Sequence, residues 1–178
     1  ATLPSYSGLL LEKEISALNQ ALNKPIKPVI AIIGGSKVST KITLLKNLVQ
    51  KVDHLIIGGG MANTFLSAQN KEVGKSYFEK DFINISNEIM HIAKEFNCLI
   101  HLPIDAMCAP KLKENEDITI HRIDSCPANK MILDAGPKTI THIKTILKAS
   151  KTVIWNGPLG AFETLPFNKA TNEVANII

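Results

Sequence analysis

Two lysines lie close together in a glycine-containing loop near residue 40. Gly34, Gly35 and Ser36 precede Lys37, and Lys41 follows four residues later, where apolar spacing predicts the opening of a helix. Cations at a helix N-terminus oppose the helix dipole, at a cost of roughly 0.3–1 kcal/mol each, and the four-residue spacing adds mutual repulsion. An anion would make the arrangement favourable, because free backbone N–H groups and both ammonium groups would then face it. The alternative is two solvated lysines beside glycines that only turn the chain.

Glycines recur at two further places, each directly after a short apolar run. Residues 58–60 are three glycines, and residues 156–160 read Asn-Gly-Pro-Leu-Gly. In a parallel sheet the ligand crevice lies at the carboxyl ends of the strands, so these segments should meet the loop at residues 34–35 along one edge. Glycine also lets a backbone approach a ligand closely. We therefore expect a site for a flat or phosphorylated ligand.

The sequence lacks several common motifs of phosphate and acyl chemistry. It contains no GxxxxGK[ST] loop, no GxGxxG fingerprint and no GxSxG elbow. Its five histidines and three cysteines show no metal-binding spacing, so no metal site is assigned. No nucleophile and base are visibly paired. Phosphoryl transfer fits these residues best, because that chemistry depends mainly on positioning and charge stabilisation.

Length and composition are those of one globular domain. The chain has 178 residues, of which 45% are hydrophobic and 20% charged, and a formal net charge of +4. Its lysines are scattered, so small anions are better candidates for partners than nucleic acid. The sequence contains no run of about 18 apolar residues, so it predicts no membrane-spanning helix. An odd number of cysteines without CxxC spacing favours a reducing, cytoplasmic location.

Helical and strand patterns alternate along the chain. Apolar runs predict strands, and a spacing of about 3.6 residues predicts helices. The predicted strands are residues 29–33, 53–57, 98–102, 118–123, 131–134 and 152–155. The predicted helices cover about residues 6–22, 38–49, 62–69 and 82–96, a segment after residue 137, and a last segment from residue 166 or 167. This order predicts an α/β, three-layer Rossmann-like domain with a mainly parallel central sheet flanked by helices.

Three long motifs resemble those of the phosphoglycerate kinase family. Residues 31–42 (AIIGGSKVSTKI) resemble its AILGGAKVxxKI, residues 55–66 (LIIGGGMANTFL) its LIIGGGMAxTFL, and residues 153–163 (VIWNGPLGAFE) its WNGPxGxFE. Shorter matches in family order lie at residues 74–76, 102–105 and 134–137. The resemblance covers essentially the whole chain. It implies a glycolytic kinase that transfers a phosphoryl group from 1,3-bisphosphoglycerate to MgADP, giving 3-phosphoglycerate and ATP.

The resemblance also implies roles for single residues. Lys37 should be the catalytic residue that stabilises the transferring phosphoryl group, and Lys41 should bind the phosphates of the nucleotide. Asn156 should contact the ribose–phosphate region, and Glu163 should accept hydrogen bonds from the ribose hydroxyls. The remaining nucleotide-binding positions, which include walls of the adenine slot, are Gly34, Gly35, Ser36, Gly58, Gly59, Gly60, Ile132, Leu133, Gly157 and Pro158.

Two departures from the family pattern concern the adenine slot. Ser36 replaces the usual alanine, which is a small change near the base. Ile132 stands where many members have glycine, so its bulky side chain either narrows the slot or points away from it.

The resemblance further implies the extent of the domain. Residues 1–178 are predicted to be the C-terminal nucleotide-binding domain without its final C-terminal segment, and the N-terminal domain that binds 3-phosphoglycerate is absent. ADP or ATP with Mg²⁺ is the expected cofactor, with the metal ligand in that missing final segment. The absence of an initiator methionine and the apolar Ile177 and Ile178 favour a fragment. The resemblance implies that the whole enzyme is a monomer and that this part, without the substrate domain, is inactive alone. The alternative is a stand-alone, non-catalytic nucleotide-binding module.

Overall fold

The computed structural model describes residues 8–114 and 116–178. In this part of the chain the strands are β1 (Val29–Ile33), β2 (His54–Ile57), β3 (Leu99–His101), β4 (Asp105–Ala109), β5 (Thr119–Arg122), β6 (Met131–Ala135) and β7 (Thr152–Asn156). The helices are α1 (Leu9–Asn23), α2 (Ile42–Leu48), α3 (Gly60–Ala68), α4 (Ile83–Glu95), α5 (Pro137–Ala149) and α6 (Lys169–Ala175). Short 3₁₀ turns lie at Lys80–Phe82 and Ile123–Ser125. Every predicted strand and helix has a counterpart, and β4 is an additional strand.

Four strands form a parallel sheet in the order β3-β2-β1-β7. Strand β1 lies in the middle, and its Ile32 is in register with Ile56 of β2 and Trp155 of β7. All five residues of β1 are buried. A strand covered on both faces has no need for polar alternation, which is why β1 reads as an unbroken apolar run.

Helices cover both faces of this sheet. On one face, Phe65 of α3 and Ile89 of α4 pack against Ala31 and Ile33 of β1. On the other face, α5 and α6 pack against the alternate residues of the same strand, with Ile140 and Val174 in the shared core. The predicted α/β architecture, with a parallel sheet between two helical layers, is confirmed.

A second, smaller sheet has the order β5-β4-β6, and both of its strand pairs are antiparallel. Residues 131–134 form a strand, as predicted, but this strand pairs with β4 in the smaller sheet and does not belong to the parallel sheet. Strand β4 was not predicted, since Asp-Ala-Met-Cys-Ala contains a charge and small residues rather than an apolar run. All five of its residues are nevertheless buried.

Asp105, the first residue of β4, explains how this strand is buried. Its carboxylate accepts hydrogen bonds from the backbone N–H groups of Lys138 (3.0 Å) and Thr139 (2.8 Å) at the start of α5. A carboxylate is favourable at a helix N-terminus, where N–H groups lack intrahelical partners. A Cβ at Gly136 would lie only 2.4 Å from Asp105 Cγ, so glycine is needed where α5 meets β4.

The first helix lies at the margin of the described structure. Residues 6 and 7 of the predicted helix, and the side chains of Leu18 and Leu22, lie outside the described part. Leu11 and Ile15, two of the four residues whose apolar spacing predicts this helix, are 49% and 46% exposed. None of the helices described here combines the length with the apolar character that a bilayer crossing requires.

Three of the five histidines, which are dispersed in the sequence, meet in the folded chain. His54 Nδ1 lies 3.0 Å from His101 Nε2, and His101 Nδ1 lies 3.1 Å from His142 Nε2. Burial, together with the neighbouring His142 and His54, lowers the pKa of His101 to about 4. The described residues contain no group of three or more His, Cys, Asp or Glu suited to a metal ion. These imidazoles therefore connect β2, β3 and α5 through hydrogen bonds.

Candidate functional site

The three glycine-containing segments meet at the carboxyl ends of β1, β2 and β7. Gly34 donates its N–H to the carbonyl of Asn156 (2.9 Å), and Gly59 donates to the carbonyl of Leu159 (2.8 Å). Met61, in the first turn of α3, donates to the carbonyl of Gly35 (2.8 Å). The convergence inferred from the sequence is therefore present, and the turns are joined by backbone hydrogen bonds.

Close backbone packing explains why glycines are needed here. A Cβ at Gly34 would lie 1.8 Å from the carbonyl oxygen of Pro158, and one at Gly157 would lie 2.5 Å from that of Gly34. Gly59 and Gly157 also have φ angles of 68° and 87°, which strongly favour glycine. Gly34 and Gly58 do not line the cleft, and the geometry shows a packing role for these two glycines.

Lys41 connects two of these turns through its side chain. Its ammonium group donates hydrogen bonds of 2.6 Å to the carbonyl of Gly34 and to Oδ1 of Asn156. Burial lowers the pKa of the Lys41 ammonium group below its ordinary value. An ammonium group has three donors, so one remains for a bound anion. The structure thus brings Lys41 and Asn156 together, as expected for two residues of one site.

The placement of Lys37 differs from the sequence-based expectation. Helix α2 begins at Ile42, so Lys41 is the residue preceding it and Lys37 lies in the loop before it. The hydroxyl of Thr40 donates to the carbonyl of Lys37 (3.0 Å), which closes a turn in that loop. The expectation that both lysines lie in the first turn of a helix is therefore wrong. Lys37 is exposed, whereas Lys41 bends back beneath the glycines.

A cleft of about 910 Å³ opens beside the glycine turns. Nine of the predicted nucleotide-binding residues line it: Gly35, Ser36, Gly59, Gly60, Ile132, Leu133, Gly157, Pro158 and Glu163. Gly34, Lys37, Lys41, Gly58 and Asn156 are not part of the lining. The cleft is large enough for a drug-sized or nucleotide-sized ligand.

The second sheet forms the apolar side of this cleft. Ile132 and Leu133 of β6 line it, and the N–H of Ala161 donates to the carbonyl of Leu133 (2.7 Å), which joins β6 to the segment after β7. Ile132 also packs against the core cluster that contains Cys108. Its side chain is thus shared between the cleft wall and the core.

Sequence reasoning missed several lining residues. Among them are Asn63 of α3, Tyr77, and the exposed Phe162 next to Glu163. Asn63 and Phe162 lie inside the long motifs at residues 55–66 and 153–163, so position within a motif was an available signal. Tyr77 comes from a connecting segment whose path to the cleft is set only by tertiary contacts.

Asp134 is a buried carboxylate in the cleft wall. It is 2% exposed and accepts hydrogen bonds from the N–H groups of Ala135 and Ala170, both at 2.9 Å. Burial outweighs the backbone N–H donors, which act in the opposite direction, and together with repulsion from Glu173 it raises the pKa of Asp134 to about 7. Its charge therefore changes near neutral pH.

Comparison with known proteins points to one family. A family model described as phosphoglycerate kinase matches residues 1–178. A phosphoglycerate kinase of Cereibacter sphaeroides (strain ATCC 17029 / ATH 2.4.9) is 53% identical over 173 residues, and one of Zymomonas mobilis is 51% identical over the same length. Each alignment covers 97% of this chain and 44% of the relative. The chain thus spans less than half the length of the curated relatives it matches.

Solved structures give the same result. The structure of phosphoglycerate kinase from Coxiella burnetii superimposes with a TM-score of 0.92 at 43% sequence identity, and covers 96% of this chain. The enzyme from Pyrococcus horikoshii OT3 superimposes with a TM-score of 0.81 at 26% identity. The chain covers 44% of each of these proteins.

Substituting Gly34 tests the packing of the glycine turns. We expect Gly34→Ala to lower the free energy of unfolding by roughly 1–3 kcal/mol, because the new Cβ overlaps the backbone of Pro158. Urea denaturation of the chain measures this. Gly8→Ala is the matched control, since no atom lies within 4 Å of a Cβ at Gly8. Equal stability of the two variants would contradict the packing assignment.

The pH dependence of stability tests Asp134. Its pKa rises from an unfolded value near 3.8 to about 7, so between these values the native state binds more protons than the unfolded state. The contribution of Asp134 to the free energy of unfolding should therefore fall as pH rises from 4 to 7, by at most about 1.4 kcal/mol per pH unit. Asp134→Asn should lack this dependence while retaining that of His101. Parallel pH curves for wild type and variant would refute the shift.

Proposed function

Since the chain belongs to the phosphoglycerate kinase family, we propose that it forms the nucleotide-binding part of an enzyme that transfers a phosphoryl group between 1,3-bisphosphoglycerate and ADP, giving 3-phosphoglycerate and ATP in glycolysis. The observation that carries the proposal is the cleft in which three glycine turns, an apolar wall and Glu163 meet beside Lys41. These are the surfaces that a base, a ribose and a phosphate chain require.

In the proposed orientation, the base lies against the second sheet. Leu133, Ile132 and Pro158 offer apolar surface to a planar ring, and the glycines at residues 35, 59 and 60 leave room beside it. The Glu163 carboxylate is exposed at the cleft surface and is acceptor-only, which suits two ribose hydroxyl donors. These assignments follow the family pattern and the lining of the cleft.

The phosphates would then extend toward the lysines. Lys41 and Asn156 lie together beside the glycine turns, where the remaining donor of Lys41 would contact the phosphate chain. Lys37 is exposed on a loop and would stabilise the negative charge that spreads over the phosphoryl oxygens during transfer. Lys41 is thus proposed for binding and Lys37 for catalysis.

Mg²⁺ accompanies ADP or ATP in this family. The described residues contain no group of three or more His, Cys, Asp or Glu side chains that could hold a metal ion by themselves. We expect the protein ligand of this metal to lie outside these residues. The 3-phosphoglycerate-binding domain of the same protein is the proposed partner, in a cytoplasmic monomer.

The competing proposal is a nucleotide-binding module that never catalyses. Both proposals predict ADP binding, and they differ in the effect of adding a substrate domain. The kinase proposal requires turnover of ATP and 3-phosphoglycerate by a full-length protein that carries this chain, whereas a binding module would give none.

Titration of the chain with ADP tests the site. We expect weaker binding than by an intact kinase, no turnover, and less than about a twofold gain in affinity with Mg²⁺, because we propose that the protein ligand of the metal lies outside the described residues. Lys41→Ala should weaken binding about 10- to 100-fold, as expected for loss of a charged donor. Isothermal calorimetry measures both, with the exposed Lys51→Ala as control. A strong magnesium-dependent gain would contradict the proposed location of the metal ligand.

Removing Lys37 tests the proposed division of labour. In the full-length kinase that carries this chain, Lys37→Ala should lower kcat at least about 100-fold while changing the KM for ATP by less than about threefold. The reason is that Lys37 would act on charge that develops only in the transition state. Steady-state kinetics measures both constants, and equal effects on kcat and KM would mean that Lys37 contributes only uniform binding.

A further inference from the structure

Two consecutive polar residues of α3 are fully buried in a helix that is otherwise mostly apolar. Asn63 is 2% exposed and Thr64 is 0% exposed. Burying such groups is unfavourable unless they form hydrogen bonds, so their partners are informative. Asn63 Nδ2 donates to the carbonyl of Tyr77 (3.1 Å), and the N–H of Glu79 donates to Thr64 Oγ1 (3.0 Å). Helix α3 therefore anchors the segment 76–79, which we call the anchored segment.

The anchored segment reaches across to the loop that carries Lys37. Glu79 Oε2 accepts a hydrogen bond from the N–H of Ser39 (3.0 Å), and Oε1 accepts one from the Ser39 hydroxyl (2.6 Å). Burial raises the pKa of Glu79, but hydrogen bonds from Ser39 and from the N–H of Val38, together with the charge of Lys37, outweigh this and lower it. The carboxylate is therefore ionised at neutral pH, which makes both bonds from Ser39 charge-assisted.

This contact is one of those that fix the loop, together with the fully buried side chain of Val38. It precedes α2, so regular helical hydrogen bonds do not fix it. One end is tied by Lys41 to Gly34 and Asn156, and its centre is tied by Glu79 to Ser39. Among the described residues, no hydrogen bond or ion pair fixes the Lys37 ammonium group, so its location follows from that of its backbone.

We propose that Glu79 is a positioning residue for Lys37. It does not line the cleft, and it acts by fixing the backbone at Ser39, two residues from Lys37. Tyr77, in the same anchored segment, does line the cleft, so one short segment fixes both a cleft wall and the loop. The inference rests on the proposed kinase function. Misplacement of a catalytic group by about 1 Å can cost about 100-fold in rate, which is why a remote carboxylate can matter.

A double-mutant cycle separates positioning from a contribution to stability alone. If Glu79 acts through Lys37, its removal should reduce turnover only while Lys37 is present. A residue that merely stabilises the fold would change the melting temperature and would affect both backgrounds equally. The cycle is therefore measured as kcat and KM, alongside thermal denaturation of each variant.

The experiment uses the full-length kinase that carries this chain, assayed with ATP and 3-phosphoglycerate. We expect Glu79→Ala to lower kcat roughly 10- to 100-fold with the KM for ATP changed less than about twofold. In a Lys37→Ala background, the same substitution should lower kcat less than about twofold. Glu72→Gln is the control and should leave kcat unchanged, because Glu72 is exposed and lies before the anchored segment.

Two milder variants keep the test decisive if Glu79→Ala does not fold. Ser39→Ala retains the backbone N–H donor to Oε2, and Glu79→Gln retains one acceptor oxygen. Each of these two variants should have a kcat between that of the wild type and that of Glu79→Ala. Glu79→Asp should likewise have a higher kcat than Glu79→Ala. Unchanged kcat in both variants, or an equal loss in the Lys37→Ala background, would overturn the inference. A wild-type protein without turnover would refute the kinase function itself, whereas wild-type turnover with unaffected variants would refute only the role of Glu79.

Discussion

The close backbone contact of three glycine turns is the constraint on which the site depends. The turns approach one another so closely that a single added methyl group at Gly34, Gly59 or Gly157 would overlap a carbonyl oxygen of a neighbouring turn. This contact is possible because β1, β2 and β7 are neighbours in one parallel sheet and end at the same edge. This backbone arrangement positions the cleft wall, the acceptors of the Lys41 ammonium group and the start of α3. Its loss would therefore displace every proposed ligand contact.

Buried polar groups connect the surrounding elements to that arrangement. Asp105 joins β4 to the start of α5, and Asp134 joins β6 to the start of α6, in each case through backbone N–H donors. Thr64 joins α3 to the segment that contains Glu79. A buried polar group with its hydrogen bonds satisfied is specific, because each alternative packing leaves it unpaired. These few residues therefore determine how the second sheet and the helices meet the cleft.

The two lysines illustrate how the same residue type can be given different tasks. The ammonium group of Lys41 is held by two protein acceptors beside the glycine turns, so its position is set before a ligand binds. Lys37 is exposed, and the described contacts position its backbone rather than its ammonium group. A fixed cation suits binding of the nucleotide, and a free one suits a group that is in transit. This difference supports separate proposed roles that sequence position alone did not justify.

The sequence by itself determined the parallel sheet, the positions of its strands and the identity of the glycine turns. Unbroken apolar runs followed by glycines are local patterns, and they are typical of strands in a sheet covered on both faces. Only the tertiary structure decided the pairing of β6 with β4, the burial of Asp105 and the path of residues 76–79 to the cleft. These features depend on hydrogen bonds between residues far apart in the chain, such as Asp105 with Thr139 and Glu79 with Ser39, which leave no periodic signal in the sequence.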